Sequence, residues 1–425
     1  MADLLQWATQ TYETREQLVA DGVWGGELYY VPGSGAQVVR PLGAHARGWI
    51  WRTLLLPSGG DEFDEGVRIP ELVSVPIVSA KTREHEHERP QSEHHKHQKL
   101  LSHSPLWTVT NGIRKLTPRE TTRHPLHDEP RSGAGLSDRE GMDLEETLDI
   151  LDLDLSRLMI DDIFRTPQVH AQMRQILFNY LVQSPPRDSA HHRADSIDSP
   201  LSERRFYYKQ GFHEILGLVY LQMYETEGGI QERSMQNILF MYTKLMDQLA
   251  PAFYREDSLI KWESGTLSKM LQMCSPNLFK IFYHEQAHQN TIWLIRWTRL
   301  LFLRELPRET VLVIWDHIFT FSYPLKTFVA SLVVSVILPL YKTFIVGMEP
   351  DELVEIMLHI GENPLVRDRD PVQLCKLAGD MCQLWHVGNF SGLKSLVDRY
   401  LESLDPNRRR LEEKLRVRVK RNIRT

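Results

Sequence analysis

With 425 residues the chain has room for one large or two medium domains, and its 42% hydrophobic and 25% charged content is ordinary for a soluble globular fold. A formal charge of -6 excludes a chain-wide polyanion-binding surface and argues against nucleic acid as a partner. The three cysteines, Cys274, Cys375 and Cys382, have no paired metal-ligand spacing and read as buried, reduced thiols of an intracellular protein. The segment Met1-Ala2-Asp3-Leu4-Leu5-Gln6 has neither a basic region nor an apolar run, so no secretory signal is expected.

In chain order, periodicity predicts an amphipathic helix over 4–20, then a glycine- and proline-marked connection from Gly22 to Gly35. A short helix ended by Pro57 carries Arg47 and Trp51, four apart and so on one face. Taken alone, that pair reads as an arginine snorkelling beside a core tryptophan, although the guanidinium can also reach a carboxylate elsewhere. From about Ser79 to Gly141 the composition turns polar, with histidines at 85, 87, 94, 95, 97 and 103 and no apolar period over 80–99. This predicts a long exposed, largely disordered insertion. Zinc is the chemistry that clustered imidazoles suggest, but no cysteine is near and no spacing suits a helix, so no metal site is expected.

Helical patterning returns at Leu144 and runs through Asp154, Arg157 and Phe164, then again from Gln168 to Val182. Asp154 and Arg157 are three apart: either an exposed ion pair of little energy, or an acid fixing the reach of an arginine meant for a phosphate. Residues 184–204 form a second polar insertion. Next comes Tyr207-Tyr208-Lys209-Gln210-Gly211-Phe212-His213-Glu214, which opens a strongly apolar helix reaching Tyr224. Gln210 and Gly211 stand at its entrance, where backbone N–H groups are unpaired and an uncharged amide can orient water.

Helical patterning continues through Phe253, from Leu259 to Phe282, along Trp293 to Pro307, and from Arg308 through Phe319. A buried helix over Phe328 to Leu338 is too short to cross a bilayer, and helices over Asp351 to Ile360 and Leu393 to Leu404 follow. The tail from Arg408 to Arg424 sets nine Lys/Arg against Glu412 and Glu413, a pattern for a solvated terminal helix with weak attraction to an anionic membrane as the second reading. The fold class expected is all-α, with no sheet. No nucleotide-binding glycine loop, metal-ligand set or nucleophile–base spacing marks a metabolic enzyme.

Four motifs in order resemble the TBC domain, the catalytic module of Rab GTPase-activating proteins. They are Arg47-Gly48-Trp49-Ile50-Trp51; Leu151-x-x-Asp154-x-x-Arg157; Tyr208-Lys209-Gln210-Gly211; and the series Trp297, Phe302, Glu305, Pro307, Trp315-Asp316. The resemblance covers about 41–400 and implies a two-lobed helical TBC domain with long disordered insertions. It divides the chain into an N-terminal helix and connection over 1–40, and an N-terminal lobe over 41–255 with insertions at about 80–141 and 184–204. A C-terminal lobe over 256–404 and a basic tail over 405–425 complete the division. By the same resemblance Arg157 is an arginine finger and Gln210 a glutamine finger, supplied in trans to a Rab-family small GTPase in its GTP-bound state. Asp154 would hold the neighbourhood of Arg157, Tyr208 would position the Gln210 loop, Gly211 would be a supporting residue of that motif, and Arg47, Trp51, Trp297, Trp315 and Asp316 would support the fold and interface.

The chain would then be no enzyme in its own right and have no cofactor of its own, since GTP and Mg2+ belong to the partner. A cytoplasmic protein of vesicle trafficking, peripherally associated with Golgi or endosomal membranes, is the implied setting. The wording of the two finger motifs looks closest to the fungal branch acting on a late-Golgi Rab and to its animal endosomal relatives. Departures from the pattern are Phe212-His213-Glu214 where Met-Asn and a further polar residue are frequent, Leu158 where Thr is frequent, and Val313 where an arginine is frequent. A non-catalytic adaptor using the same groove is the alternative function.

Overall fold

The structure, a computed structural model, describes residues 2–30, 44–56, 71–76, 141–183, 201, 204–284, 290–341 and 349–404. The expected insertions over 80–141 and 184–204, with the histidine cluster, lie outside the described residues save at their edges, as does the basic tail beyond Leu404. The described chain is all-α. In place of one helix over 4–20 there are α1 (Ala2–Thr11), α2 (Arg15–Gln17) and a π-helical turn Leu18–Trp24 that runs through the predicted Gly22 connection. The Thr14 side chain, accepting from the Gln17 N–H, caps the restart. Then come α3 (Ala44–Leu55), α4 (Leu144–Ser156), α5 (Pro167–Gln183), α6 (Phe212–Glu227) and α7 (Glu232–Phe253).

The next segment is broken into α8 (Glu256–Trp262), α9 (Ser268–Cys274) and α10 (Pro276–Phe279), with π turns between and after. The remaining helices are α11 (Asn290–Arg299), α12 (Arg308–Thr320), α13 (Leu325–Ile337), α14 (Pro350–Leu358), α15 (Pro364–Arg367), α16 (Pro371–His386) and α17 (Phe390–Ser403).

Two helices are apolar on every side and therefore central. In α6 every residue from Phe212 to Met223 is buried, enclosed by α3, α4, α5 and α7. In α13 all residues but Lys326 are buried, against α16, α7 and α9. Among the described residues no helix is long and apolar enough to cross a membrane. Cys274, Cys375 and Cys382 are all buried and unpaired, as their spacing suggested.

The contact between α3 and α6 needs a missing side chain. A Cβ on Gly48 would lie 1.8 Å from Thr226 Oγ1 and 2.7 Å from the Gln222 carbonyl oxygen. The carbonyl cannot rotate away, so a methyl group forces the helices apart. Gly48→Ala is expected to lower the unfolding free energy by about 2 kcal/mol, read from the urea midpoint. A midpoint at or above wild type would mean that α3 and α6 part freely there.

Candidate functional site

Arg157 ends α4. As C-cap it has helical φ and ψ, its N–H donates to the Asp154 carbonyl, and its side chain is exposed. The loop after it is firmly seated. Leu158 is buried, and a Cβ on Gly217 of α6 would meet both Leu158 Cδ2 and Ile160 Cδ1 at 3.0 Å. The leucine found where threonine is frequent thus packs into a notch that glycine leaves on the central helix. Arg308, at the start of α12, donates to the Ile160 carbonyl from the other side.

Gln210, exposed like Lys209 before it, stands in the turn that leads into α6. Gly211 behind it has φ +103°, and a Cβ there would lie 3.0 Å from both Tyr254 Oη and Leu300 Cδ2. Glycine is required twice over, for its backbone angle and for the close approach. Beneath the turn, the Tyr254 hydroxyl donates to the Arg299 carbonyl (2.9 Å) and Arg299 Nε donates to the Phe253 carbonyl (3.1 Å), stapling the ends of α7 and α11. The Tyr242 hydroxyl donates to the Phe212 carbonyl at 3.1 Å and pins the first turn of α6.

The two exposed residues belong to segments that are joined in the interior. The Tyr208 hydroxyl donates to Asp154 Oδ2 at 2.8 Å, and both side chains are buried. Burial, then the Asp154 charge, pushes the phenol well above its ordinary pKa, so it keeps the proton it donates. Asp154 therefore does not form the exposed ion pair that its spacing from Arg157 allowed; it turns inward and ties its helix to the Gln210 segment. At the opposite end of α4, Met142 and Phe206 exchange two backbone hydrogen bonds of 2.9 Å in an isolated antiparallel bridge. The two segments are thus held together at both ends of the helix.

His213, the departure seen in the sequence, joins the same cluster, with Nδ1 2.8 Å from Tyr208 Oη and 3.5 Å from Asp154 Oδ2. Burial pushes the imidazole below its ordinary pKa despite the Asp154 and Glu214 carboxylates. Glu214, also buried, accepts from Arg304 Nε at 2.5 Å. Sequence reasoning missed Arg304 and Tyr254 altogether; neither has a local spacing that links it to the Arg157 and Gln210 segments.

Arg47, Trp51, Trp297, Trp315 and Asp316 lie elsewhere, and all five are buried. Arg47 does not snorkel: it is 1% exposed and pairs with Asp316, 0% exposed, through Nε at 3.2 Å. Trp51 Nε1 donates to the same carboxylate at 2.6 Å, and Trp315 stacks on Trp51 with ring centroids 6.0 Å apart. Trp297 is separate, donating to the Met357 carbonyl at 3.1 Å. Val313 is a core residue of α12. Among the described residues no group of three His, Cys, Asp or Glu is placed to hold a metal ion.

The sequence pattern of the Rab-GTPase-TBC domain matches residues 106–346, more than half of the chain. The chain belongs to the Rab-GTPase-TBC domain family. Both exposed site residues, with Asp154, Tyr208 and Asp316, fall inside the match, whereas Arg47 and Trp51 precede it and are joined to it through Asp316. Growth hormone-regulated TBC protein 1-A of Danio rerio is 25% identical over 223 residues, 51% of this chain and 51% of that protein. The chain therefore spans about half the length of that relative. A solved structure of the Ypt/Rab-GAP domain of Gyp1p aligns with a TM-score of 0.41 at 15% identity, covering 58% of this chain and 74% of that one.

Proposed function

We propose that this TBC-family chain is a GTPase activator for a Rab-family small GTPase in its GTP-bound state, supplying Arg157 and Gln210 in trans. In GTP hydrolysis a water oxygen attacks the γ-phosphorus while the bond to the bridging oxygen breaks, and negative charge gathers on the transferring and leaving oxygens. Arg157 presents a planar set of donors that can neutralise this charge. Gln210 presents an amide that can both donate and accept, the chemistry needed to align a water. GTP and Mg2+ would come with the partner.

The Tyr208–Asp154 hydrogen bond carries this reading. It joins an exposed arginine and an exposed uncharged amide, otherwise 53 residues apart in sequence (210 − 157), to one buried anchor. Exposed Leu153 and Met159, the latter 75% exposed, flank Arg157 and offer apolar contact to the partner around the finger. Attraction of the basic segment 408–424 to an anionic lipid surface would hold the protein at the cytoplasmic face of Golgi or endosomal membranes, in vesicle trafficking.

The test is single-turnover phosphate release from a panel of GTP-loaded Rab proteins with and without this chain. Acceleration of one or two members supports the activator and names the substrate. Tight binding with no acceleration of any member would replace it with the adaptor reading.

A further inference from the structure

The Tyr208 hydroxyl stands between a carboxylate and an imidazole nitrogen, each 2.8 Å away, and has one proton to share between them. A phenol has a single proton, and Tyr208 gives it to Asp154 Oδ2 at 2.8 Å. The phenol oxygen belongs to a buried side chain and already receives the His213 backbone N–H, which leaves it one further lone pair. His213 Nδ1 faces that oxygen at 2.8 Å and also lies 3.5 Å from Asp154 Oδ2. Both neighbours are acceptors toward the ring, so the ring nitrogen facing them must carry hydrogen. On its other side, His213 Nε2 stands 4.0 Å from Glu214 Oε1, whose second oxygen is engaged by Arg304. His213 therefore touches the α4 segment, the loop before α6 and α6 itself, while being only 5% exposed and out of reach of a partner.

We propose that His213 is a positioning residue for GTPase activation. Its Nδ1–H locks the Tyr208 phenol onto Asp154 and so holds the Gln210 turn in register with the Arg157 turn. This rests on the two-finger reading above. Leucine at 213 fills comparable space but donates nothing. Asparagine places an amide N–H at nearly the same distance from the backbone as Nδ1, and glutamine places it about one bond further out, near Nε2. The position of the donor, and not mere bulk, should therefore decide the outcome.

The experiment compares wild type, Arg157→Ala, His213→Leu, His213→Asn and His213→Gln of the full chain in single-turnover phosphate release. Hydrogen exchange at amides 155–160 and 208–212 is followed in parallel. His213→Leu and His213→Gln are expected to lower the maximal rate about tenfold, the worth of roughly one hydrogen bond. The partner concentration for half-maximal effect should stay nearly unchanged, exchange should quicken in both segments together, and His213→Asn should restore rate and protection. If wild type accelerates and Arg157→Ala does not, yet His213→Leu keeps full rate, the finger reading stands and the role of His213 is overturned. If wild type accelerates no GTPase, the finger reading fails, and unchanged exchange in His213→Leu then rejects the lock as well. Equal losses for leucine and asparagine also reject it. Should the variants not fold, nitrogen NMR of the wild-type imidazole decides: a proton on Nδ1 is required, and one on Nε2 alone refutes the assignment.

Discussion

Arg157→Ala is expected to lower stimulated GTP hydrolysis by about a thousandfold and Gln210→Ala by about a hundredfold, the scale of removing a trans-acting arginine or one oriented transition-state donor. Neither change should shift the thermal midpoint measurably, because both side chains are exposed and their helices are anchored by other residues. Arg157→Lys keeps the charge but replaces a planar fork with a point charge, so it should recover little. The double variant should fall far short of the product of the two losses, because both groups act on one transition state and neither is productive without the other. Single-turnover phosphate release with the accelerated GTPase measures all four. Full acceleration by both alanine variants would remove the finger assignment.

The elements that position these residues were legible where the apolar period was strong. Helix α6 runs through the predicted apolar segment to Tyr224, and α12 starts at the predicted Arg308. Helix α16 escaped notice because its buried face is built partly from Cys375, Ala378, Gly379 and Cys382, small side chains that barely mark a period. A start signal was nevertheless present, since Asp370 caps the N–H groups of Val372 and Gln373 and Pro371 occupies the first turn.

The run from Trp293 to Pro307 reads as helix, yet α11 stops at Arg299 because Leu301 and Phe302 take positive φ values of 45° and 66°. Non-glycine residues rarely adopt that region, and no residue type at these positions announces it. The tertiary partners were least visible. Tyr208 and Asp154 are 54 positions apart, and Arg47 and Asp316 are 269 apart, separations on which periodicity carries no information. His213 stood out in the sequence as unusual, but only the fold shows that its ring meets a phenol and a carboxylate at once.

Removing the carboxylate at 316 should cost about 3–5 kcal/mol, a large part of the 5–15 kcal/mol that holds a typical domain folded. Asp316 serves three buried donors: Arg47 Nε at 3.2–3.3 Å, Trp51 Nε1 at 2.6 Å and the Tyr29 hydroxyl at 3.1 Å. Asp316→Ala strands all of them, one being a guanidinium that is 1% exposed. An unchanged urea midpoint for that variant would mean the cluster contributes nothing.

Arg47→Met strands the acid instead. Burial already pushes the Asp316 carboxyl up from its ordinary range, and Arg47 is the largest influence holding it down. Without Arg47 the folded-state pKa must rise further, while the unfolded value stays near the usual carboxylate value of about 3.9. A folded pKa above the unfolded one gives stability that is complete below the unfolded pKa and is lost as pH rises through the folded one. Urea unfolding should therefore find Arg47→Met closer to wild type in acid than at neutral pH. Combining Arg47→Met with Asp316→Leu removes both charges and should recover part of the loss, but not all of it. The Trp51 indole and the Tyr29 phenol would still lack an acceptor, so the cluster acts as a four-residue unit in which the ion pair is only one bond among several.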